Sequence, residues 1–420
     1  MNKKLNLAVA AALALGASAA QAGITIPAGD WTIDIGGNVN AYYTNTNFDG
    51  VLDSDVDGAP GSASANNIST GLLPAAIGIG GKTRQNDLDI AFQFTFFTGV
   101  DSEDTSTGGA TVGNYGANGA GGNTVNVRQA FLTFGDKSWG TIKMGRDLGI
   151  FGSDAILSDM TLLGVGNSAG GSGNSTLGRI GTGYLYADWV GQIQYASPNW
   201  NGFSFAVAAR QPWGNSANED LGFDAKASYE WAGDVSGKVW VGGIHQKTQN
   251  AESAATTAVN LVTGAVEAVA AVDNNEETAS AWEIGAKVNV GGFGLVGYYY
   301  DGKGFGSPLL AGPSLNVAGL LINNADNDVD GGYVQGTYTL PMGTKIGLSW
   351  GESNIDVRGQ SNEFTAEAWV AGVYHPLTKS LNLVAEYTST DYENIRNATT
   401  GAVIGDGEAD TIALGAILFF

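Results

Sequence analysis

Several kinds of residue are scarce or absent in this chain of 420 residues. It has no cysteine, so neither disulfides nor thiolate metal ligands can stabilise its fold. After residue 22, no stretch approaches the roughly 18 consecutive apolar residues that a membrane-spanning helix needs. Lysines and arginines number 19 against 41 aspartates and glutamates, whereas a nucleic-acid-binding face requires an excess of cations. These absences exclude a disulfide-stabilised module, a helical membrane protein and a nucleic-acid partner.

The first 22 residues have the features of an export signal. Lys3 and Lys4 form a basic start, a short apolar run follows, and Ala20-Gln21-Ala22 places small residues where a signal peptidase cuts. We therefore expect a cleaved signal peptide over 1–22 and one domain over 23–420. Loss of the two lysines would make the formal charge of −22 two units more negative.

Apolar and polar residues alternate along many segments, which predicts strands with one apolar face. A clear example is the segment in which Leu88, Ile90, Phe92, Phe94 and Phe96 alternate with Asp89, Gln93 and Thr95. Residues 239–244 and 366–374 are apolar on both faces, so their inward side stays unassigned. About 16 such segments occur, and an antiparallel barrel of that size encloses an aqueous lumen. The pattern predicts an all-β fold, a transmembrane antiparallel β-barrel.

Short turns alternate with long connections between these segments. Tight turns are expected at 83–86, 197–202, 232–236, 291–292, 341–343 and 377–380. Long polar or glycine-rich loops are expected at 45–69, 98–124, 147–177, 211–221, 248–278, 301–330, 353–362 and 389–407. So many long loops are unusual in a soluble domain. Short periplasmic turns and long external loops are typical of an outer-membrane barrel.

The end of the chain supports closure of the barrel. Ile412, Leu414, Ala416 and Leu418 alternate back from the terminal Phe420. A barrel in lipid must pair its last strand with its first, because an open edge would leave backbone groups without partners. We expect lipid to surround Phe92 and Leu414.

Three motifs and the terminal phenylalanine resemble the general trimeric porins of Gram-negative bacteria along the whole mature length. They are Arg128-Gln129-Ala130-Phe131, Gly140-Thr141-Ile142-Lys143-Met144-Gly145-Arg146 and the run from Tyr195 to Phe203, and Pro376-Leu377-Thr378-Lys379-Ser380 is similar to a turn of that family. The resemblance implies a homotrimer with a third external loop folded into the lumen as a constriction. It also implies periplasmic chaperones and the barrel-assembly machinery as partners, beside outer-membrane lipid and lipopolysaccharide. No cofactor is required.

The same resemblance assigns the residues of the constriction. The third loop runs from Asp147 to about Leu177 and carries Asp154 and Asp159 as acids that line the narrow part. Arg128 and Arg179 match the ladder of basic residues that faces this loop in the family, and Arg210 falls on the polar face of its strand. The alternative for the two acids is an ordinary solvated loop.

This chain departs from the family at three positions of that ladder. Asn38, Ala76 and Gln194 stand where relatives commonly have a basic residue. Fewer arginines leave the acidic loop less compensated, and fixed charges in a narrow pore bias which ions enter. We therefore expect a preference for cations or neutral solutes, although salt screens much of the charge on external loops within about 8 Å at physiological ionic strength.

Two acidic segments resemble the opening of a calcium loop. The first contains Asp53, Asp55 and Asp57, and the second contains Asp326, Asp328 and Asp330, each followed by glycine. Neither segment has the bidentate glutamate at the twelfth position, where Ser64 and Thr337 stand. A weak site for Ca²⁺ or Mg²⁺ and a solvated acidic loop both remain open.

Other function classes have less support. An outer-membrane enzyme would need a base, and the chain has two histidines, His245 near an external strand end and His375 beside a periplasmic turn. A sugar-selective channel is a closer alternative, because Tyr298 and Tyr300 could form an aromatic strip in the lumen. An adhesive role of the long loops is a further alternative. The sequence favours a porin that passes ions and small hydrophilic solutes by passive diffusion.

Overall fold

The computed structural model describes residues 23–53, 64–100, 125–168, 175–213, 220–249, 256–259, 266–269, 276–305, 327–356, 362–396 and 403–420. The expected signal peptide over 1–22 lies outside this part of the chain. The strands are β1 (Ile24–Ala28), β2 (Trp31–Gly50), β3 (Ser64–Ser69), β4 (Ala75–Gln85), β5 (Leu88–Thr98), β6 (Asn126–Asp136), β7 (Gly140–Leu148), β8 (Trp189–Ala196), β9 (Phe203–Arg210), β10 (Gly222–Trp231), β11 (Val235–Gln249), β12 (Thr256–Val259), β13 (Val266–Val269), β14 (Glu276–Val290), β15 (Phe293–Lys303), β16 (Asp328–Thr339), β17 (Lys345–Asp356), β18 (Phe364–Pro376), β19 (Leu381–Arg396) and β20 (Val403–Phe419). Among the described residues, no helix has the length and apolar character to cross a membrane.

Sixteen of these strands, β2, β4 to β11 and β14 to β20, form a closed antiparallel barrel. Each pairs with its neighbours along the chain, and β12 and β13 form a separate hairpin between β11 and β14. The ring closes where β20 pairs with β2, with Phe419 opposite Asn38. This pairing leaves no open edge at the seam. The predicted all-β barrel and its strand number are confirmed.

The two rims of the barrel differ in their connections. On the short-turn rim, Asn86 and Asp87 join β4 to β5 with positive φ values of 48° and 63°, the backbone of a tight hairpin turn. Gly291-Gly292 is also a two-residue connection, from β14 to β15, with a positive φ of 57° at Gly291. On the opposite, long-loop rim the strands run further than the apolar alternation predicts, and β19 continues to Arg396. The backbone ladder therefore continues beyond the apolar band, where its side chains become polar.

The wall has an apolar outer face, and Leu414 on this face is 52% exposed. The structure also assigns the two segments whose faces the sequence left open. In β11, Val239 and Val241 face outward, while Trp240 and Ile244 are buried on the inside. In β18, the outward residues include Trp369 and Val373, and the inward ones include Ala366, Ala368 and Val370. Both faces are apolar because the lumen is not open to water at these strands.

The second strand of the barrel is interrupted. β3 and β4 both pair with β2, at Tyr42–Asn47 and Thr32–Asn38 respectively, and residues 70–74 leave the sheet between them. Pro74 has no backbone N–H to donate, which favours a break at this point. The side chain of Asn40 accepts from Gly71 N at 3.0 Å and donates to Leu73 O at 2.8 Å. These bonds replace part of the missing ladder.

Candidate functional site

The described parts of the long segment between β7 and β8, residues 149–168 and 175–188, lie inside the barrel, and we refer to them as the constriction loop. It contains the helix α1 (Ser153–Ser158) and a 3₁₀ turn over Met160–Leu163. The side chain of Asp159 accepts a hydrogen bond from Thr161 N at 2.9 Å and so caps the 3₁₀ turn. The predicted entry of the third long loop into the lumen is confirmed.

Buried side chains of the barrel hold the backbone of the constriction loop. Glu283 on β14 accepts from Gly152 N at 2.8 Å, and Glu386 on β19 accepts from Val165 N and Gly166 N at 2.7 and 2.8 Å. Carboxylates are strong acceptors for exposed amides of a loop. These contacts bind the loop to the inward side of β14 and β19. We name the inward side of β10, β11 and β14 to β19, which the loop lies against, the covered wall.

Tyrosines of the barrel, on the covered wall and on β2, form a second set of contacts with the loop. The Tyr333 hydroxyl donates to Ala155 O at 2.8 Å, and the Tyr42 hydroxyl of β2 donates to Leu163 O at 2.7 Å. Tyr298 and Tyr300 face inward as expected, but they lie in the apolar cluster beneath the loop, where Tyr300 has no exposed surface. An aromatic strip for passing sugars would have to be open to the lumen. The structure therefore gives the sugar-selective alternative no support from these two tyrosines.

Asp154, the first acid predicted for the constriction, is paired with lysines of the covered wall. Its carboxylate lies 2.6 Å from Lys226 Nζ and 2.6 Å from Lys238 Nζ, and the residue is 7% exposed. Burial alone would raise the pKa of Asp154, but the two ammonium groups outweigh burial and hold this pKa below its usual value. Asp154 is thus an ionised anchor of α1, largely screened from the lumen water.

Asp159 and Arg179 lie close together within the constriction loop. Asp159 is 4% exposed and accepts from the Tyr184 hydroxyl at 2.8 Å. Arg179 was matched to the ladder that faces the loop, but the structure places it in the loop itself. Its guanidinium donates to Thr182 O and Ala368 O, each at 3.2 Å. Arg179 therefore cannot form a rung on the facing wall, and its buried charge links the loop to β18.

The other two predicted arginines lie on strands. Arg210 at the end of β9 is buried and donates from Nε to Asp224 Oδ1 at 2.6 Å. Arg128 lies at an irregularity in the pairing of β5 with β6, and its guanidinium stacks 4.9 Å above the Phe97 ring. Both are held against other side chains and expose little surface.

The three residues that stand where the family commonly has a basic residue all face inward from their strands. Asn38 on β2 pairs with Ala76 on β4 in the sheet register, and both are buried. Gln194 on β8 is half-buried and lies opposite Lys143 on β7. Lys143 forms an ion pair with Asp147. A basic residue therefore stands beside Gln194, on the neighbouring strand.

The free wall, β4 to β8, carries mainly uncharged polar groups around this ion pair. The Thr95 hydroxyl donates to Gln129 at 2.6 Å, and Gln129 donates to Asp147 at 2.9 Å. Gln93 donates to the Thr95 hydroxyl at 3.0 Å. The alternation along β5 predicts that Gln93 and Thr95 share a polar face, but it does not indicate their bonds to Gln129 of β6. Their positions on alternate residues of neighbouring strands could have identified them.

The acidic segments proposed for a divalent cation are only partly described. Asp55, Asp57 and Asp326 lie outside the described residues. Asp328 and Asp330 belong to strand β16, and Asp328 accepts from Lys303 Nζ at 2.9 Å. Within the part of the chain that the structure describes, no three His, Cys, Asp or Glu side chains are grouped to hold a metal. Binding of Ca²⁺ or Mg²⁺, including through Asp53, stays a prediction.

The two histidines lie at opposite rims of the barrel. His245 on β11 contacts the Ser280 hydroxyl at 2.7 Å near the long-loop rim. His375 at the end of β18 contacts the Thr344 hydroxyl at 2.8 Å near the short-turn rim. They cannot take part in one catalytic site.

Comparison with known proteins agrees with this architecture. The model of the Gram-negative porin family matches residues 8–395. The search of curated proteins found no match. Three solved structures show the same fold: OmpT of Vibrio cholerae in a trimer form (15% identity, 93% of this chain and 99% of that one, TM-score 0.57), the outer membrane channel DcaP of Acinetobacter baumannii (12%, 94% and 99%, 0.58) and OmpF of Salmonella typhi in complex with daunomycin (17%, 93% and 100%, 0.57).

The family match covers far more than half of the chain, and the closed barrel with an inserted third loop fits it. The long-loop rim is accordingly the extracellular side, and the short-turn rim is the periplasmic side. The chain belongs to the Gram-negative porin family and is a non-enzymatic channel of the outer membrane.

Proposed function

We propose that this porin passes ions and small hydrophilic solutes by passive diffusion with a preference for cations that arises at its extracellular mouth. The observation that carries this proposal is the distribution of charge. Four lumen acids are paired with nearby cations: Asp34 with Lys82, Asp147 with Lys143, Asp154 with Lys226 and Lys238, and Asp224 with Arg210. Glu283 and Glu386 are instead buried under the amides of the constriction loop. Paired charges at the constriction attract mobile ions weakly.

The extracellular rim has the opposite balance. Its described carboxylates, on β15 to β20 and just before β18, outnumber Lys303 and Arg396 there: Asp301, Asp328, Asp330, Glu352, Asp356, Glu363, Glu367, Asp391, Glu393, Asp406, Glu408 and Asp410. Partial burial, together with the charges of Asp330, Asp356 and Glu352, raises the pKa of Glu363. Such mutual repulsion is typical of clustered carboxylates. On the strands they alternate with buried inward residues and so lie on the outer side of the rim, from which their field raises the local concentration of cations around the extracellular entrance.

The sequence placed the source of cation preference in Asp154 and Asp159, and the proposal moves it to the rim. If the cation preference arises at the rim, it should depend strongly on ionic strength, because the screening length falls from about 30 Å at 0.01 M salt to about 3 Å at 1 M. Reversal potentials in planar bilayers under KCl gradients test this directly. We expect cation preference at low salt and little preference at molar salt. Preference for anions at low salt would contradict the proposal.

The variants Glu367→Gln and Asp410→Gln separate the rim from the constriction. Both residues face outward, away from the constriction loop, so the barrel should be unaffected. We expect the double variant to lose part of the low-salt preference, with unchanged conductance at 1 M KCl. A channel whose selectivity is independent of salt and of these residues would place the source elsewhere.

We further propose that the channel is a homotrimer, as the resemblance implies. One of the similar structures, OmpT of Vibrio cholerae, is described as a trimer. Sedimentation of the detergent-solubilised protein tests this, and a monomeric species that conducts would contradict it.

A further inference from the structure

The constriction loop leaves parts of several apolar side chains accessible. Its acids are buried, whereas Leu157 of α1 and Leu162 and Leu163 of the 3₁₀ turn are only half-buried. The other side of the loop is bound to the covered wall through the contacts of Glu283 and Glu386. Leu157 and Leu162 pack in part against the apolar cluster beneath the loop, and Leu163 packs against Ile417 and Phe419. The unbound side of the loop lies toward the free wall, so the accessible parts of these leucines are available to solutes there.

The interrupted second strand adds to this apolar surface. Leu72 N donates to Gly164 O at 2.9 Å, and Thr176 N donates to Gly71 O at 3.2 Å, so residues 70–74 are joined to the loop. Leu73, half-buried, packs in the same small cluster as Leu163. The apolar patch thus continues from the loop onto the wall.

The free wall supplies uncharged hydrogen-bonding groups across the lumen from these leucines. Gln93, Thr133 and Gln194 are half-buried and lie on inward positions of β5, β6 and β8. Gln93 lies flat over two glycines of β4: a Cβ added to Gly80 would come 2.5 Å from Gln93 Oε1, and one added to Gly78 would come 2.9 Å from Gln93 Nε2. The missing side chains leave Gln93 room to stay out of the passage.

We propose that this leucine and glutamine constriction favours small solutes that carry both an apolar group and uncharged or zwitterionic polar groups. The leucines can cover the apolar group, while the carboxamides of Gln93 and Gln194 replace part of the hydration of the polar groups. This selectivity deepens the proposed diffusion function and depends on the constriction, whereas cation preference depends on the rim. The two proposals can therefore fail independently.

Two amino acids of nearly equal mass, leucine and asparagine, are suitable probes. Both are zwitterions that cross lipid slowly, and they differ in whether the side chain is apolar. Swelling of liposomes that contain the purified porin measures their entry, with liposomes lacking the porin as the baseline. Partial burial of the methyl and methylene groups of the leucine solute against the constriction should make its entry rate roughly two- to fourfold higher than that of asparagine. Equal rates in the native channel would overturn the proposal.

The double variant Leu157→Gln, Leu163→Gln tests the residues, and Leu157→Met, Leu163→Met is its matched control. The ratio of the leucine to the asparagine entry rate should fall toward one in the glutamine variant. It should stay at the native value in the methionine variant, because methionine keeps an apolar surface of similar volume. Unchanged selectivity in a glutamine variant that retains the native circular dichroism spectrum and KCl conductance would contradict the assignment.

Gly80→Ala provides a test that does not touch the loop. The added Cβ should push the Gln93 side chain into the passage, so both amino acids should enter more slowly while their rate ratio is kept. Faster entry of either solute would show that Gln93 does not border the passage. This variant also remains informative if the glutamine variant of the loop fails to fold.

Discussion

The covered wall and the free wall belong to one barrel, yet their inward side chains differ in kind. The covered wall presents lysines, glutamates and tyrosines that bind the constriction loop, as Lys226, Glu283 and Tyr333 do. The free wall presents shorter networks of glutamine and threonine around the ion pair of Lys143 with Asp147, and its other ion pairs, formed by Lys82 and Arg84, are more exposed and lie near the short-turn rim. Strong charge is thus concentrated where the lumen is filled by protein, and the remaining water meets mostly uncharged groups.

Physical chemistry explains this division. A carboxylate removed from water is costly unless cations or N–H donors replace its hydration. The constriction loop offers such donors, the amides of Gly152, Val165 and Gly166, to the glutamates of the covered wall. The anchoring of the loop therefore depends on residues that in an open lumen would act as selectivity charges.

Removal of Asp154 should have the largest effect on the covered wall. Asp154→Ala leaves Lys226 and Lys238 partly buried without their shared counter-ion, and loss of one partner of a buried ion pair costs about 3–5 kcal/mol. Urea titration of the folded porin measures the change in the free energy of unfolding. As a control, Asp410→Asn changes an outward carboxylate at the rim and should have a much smaller effect.

The pH dependence of this ion pair follows from the lowered pKa of Asp154. A carboxyl whose pKa is lower in the folded state stabilises the fold above its unfolded value near 3.9, and this contribution disappears as the pH falls through the folded pKa. The contribution of Asp154 should thus be intact from pH 7 to about pH 5. The difference in unfolding free energy between the native protein and Asp154→Ala should stay constant over that range. A steady decrease in the difference would contradict the assigned ionisation.

Glu386→Leu should be the next most damaging change. It leaves the buried amides of Val165 and Gly166 without an acceptor, and each orphaned group costs about 1–3 kcal/mol. We expect lower stability and larger fluctuations of single-channel current, because this end of the loop loses its anchor. Glu386→Gln keeps one acceptor oxygen, so its stability and its current fluctuations should lie between those of the native protein and those of Glu386→Leu. Native current noise in the leucine variant would show that the loop is held by other contacts.

A change on the outer face tests the barrel independently of both inner surfaces. Leu414→Arg places a charge in the lipid-facing band and should cost roughly 2–4 kcal/mol if the residue lies near the middle of the bilayer. Folding into lipid vesicles of defined composition measures the cost. Selectivity should be unchanged, and Leu414→Met is the matched control.

The strands, their pairing order and the position of the constriction loop were predictable because alternation and loop length are local properties of the sequence. The inward face of β11 was not predictable, because its apolar residues Trp240 and Ile244 pack against a loop that is distant in sequence. The partners of Asp154 were hidden for the same reason, since Lys226 and Lys238 lie on strands far along the chain. Arg179 was misplaced because motif matching cannot distinguish a loop residue from a strand residue beside it.

The interrupted strand also bears on how the porin assembles. Gly71 and Leu72 bond to the constriction loop in place of a neighbouring strand, and Asn40 of the first barrel strand holds them. This short stretch of wall can reach its final state only after the loop has entered the lumen. The ring itself closes elsewhere, between β2 and β20, without a bond to the loop in that ladder. The native state of residues 70–74 thus requires the inserted loop, and this part of the wall and the loop complete their hydrogen bonds together.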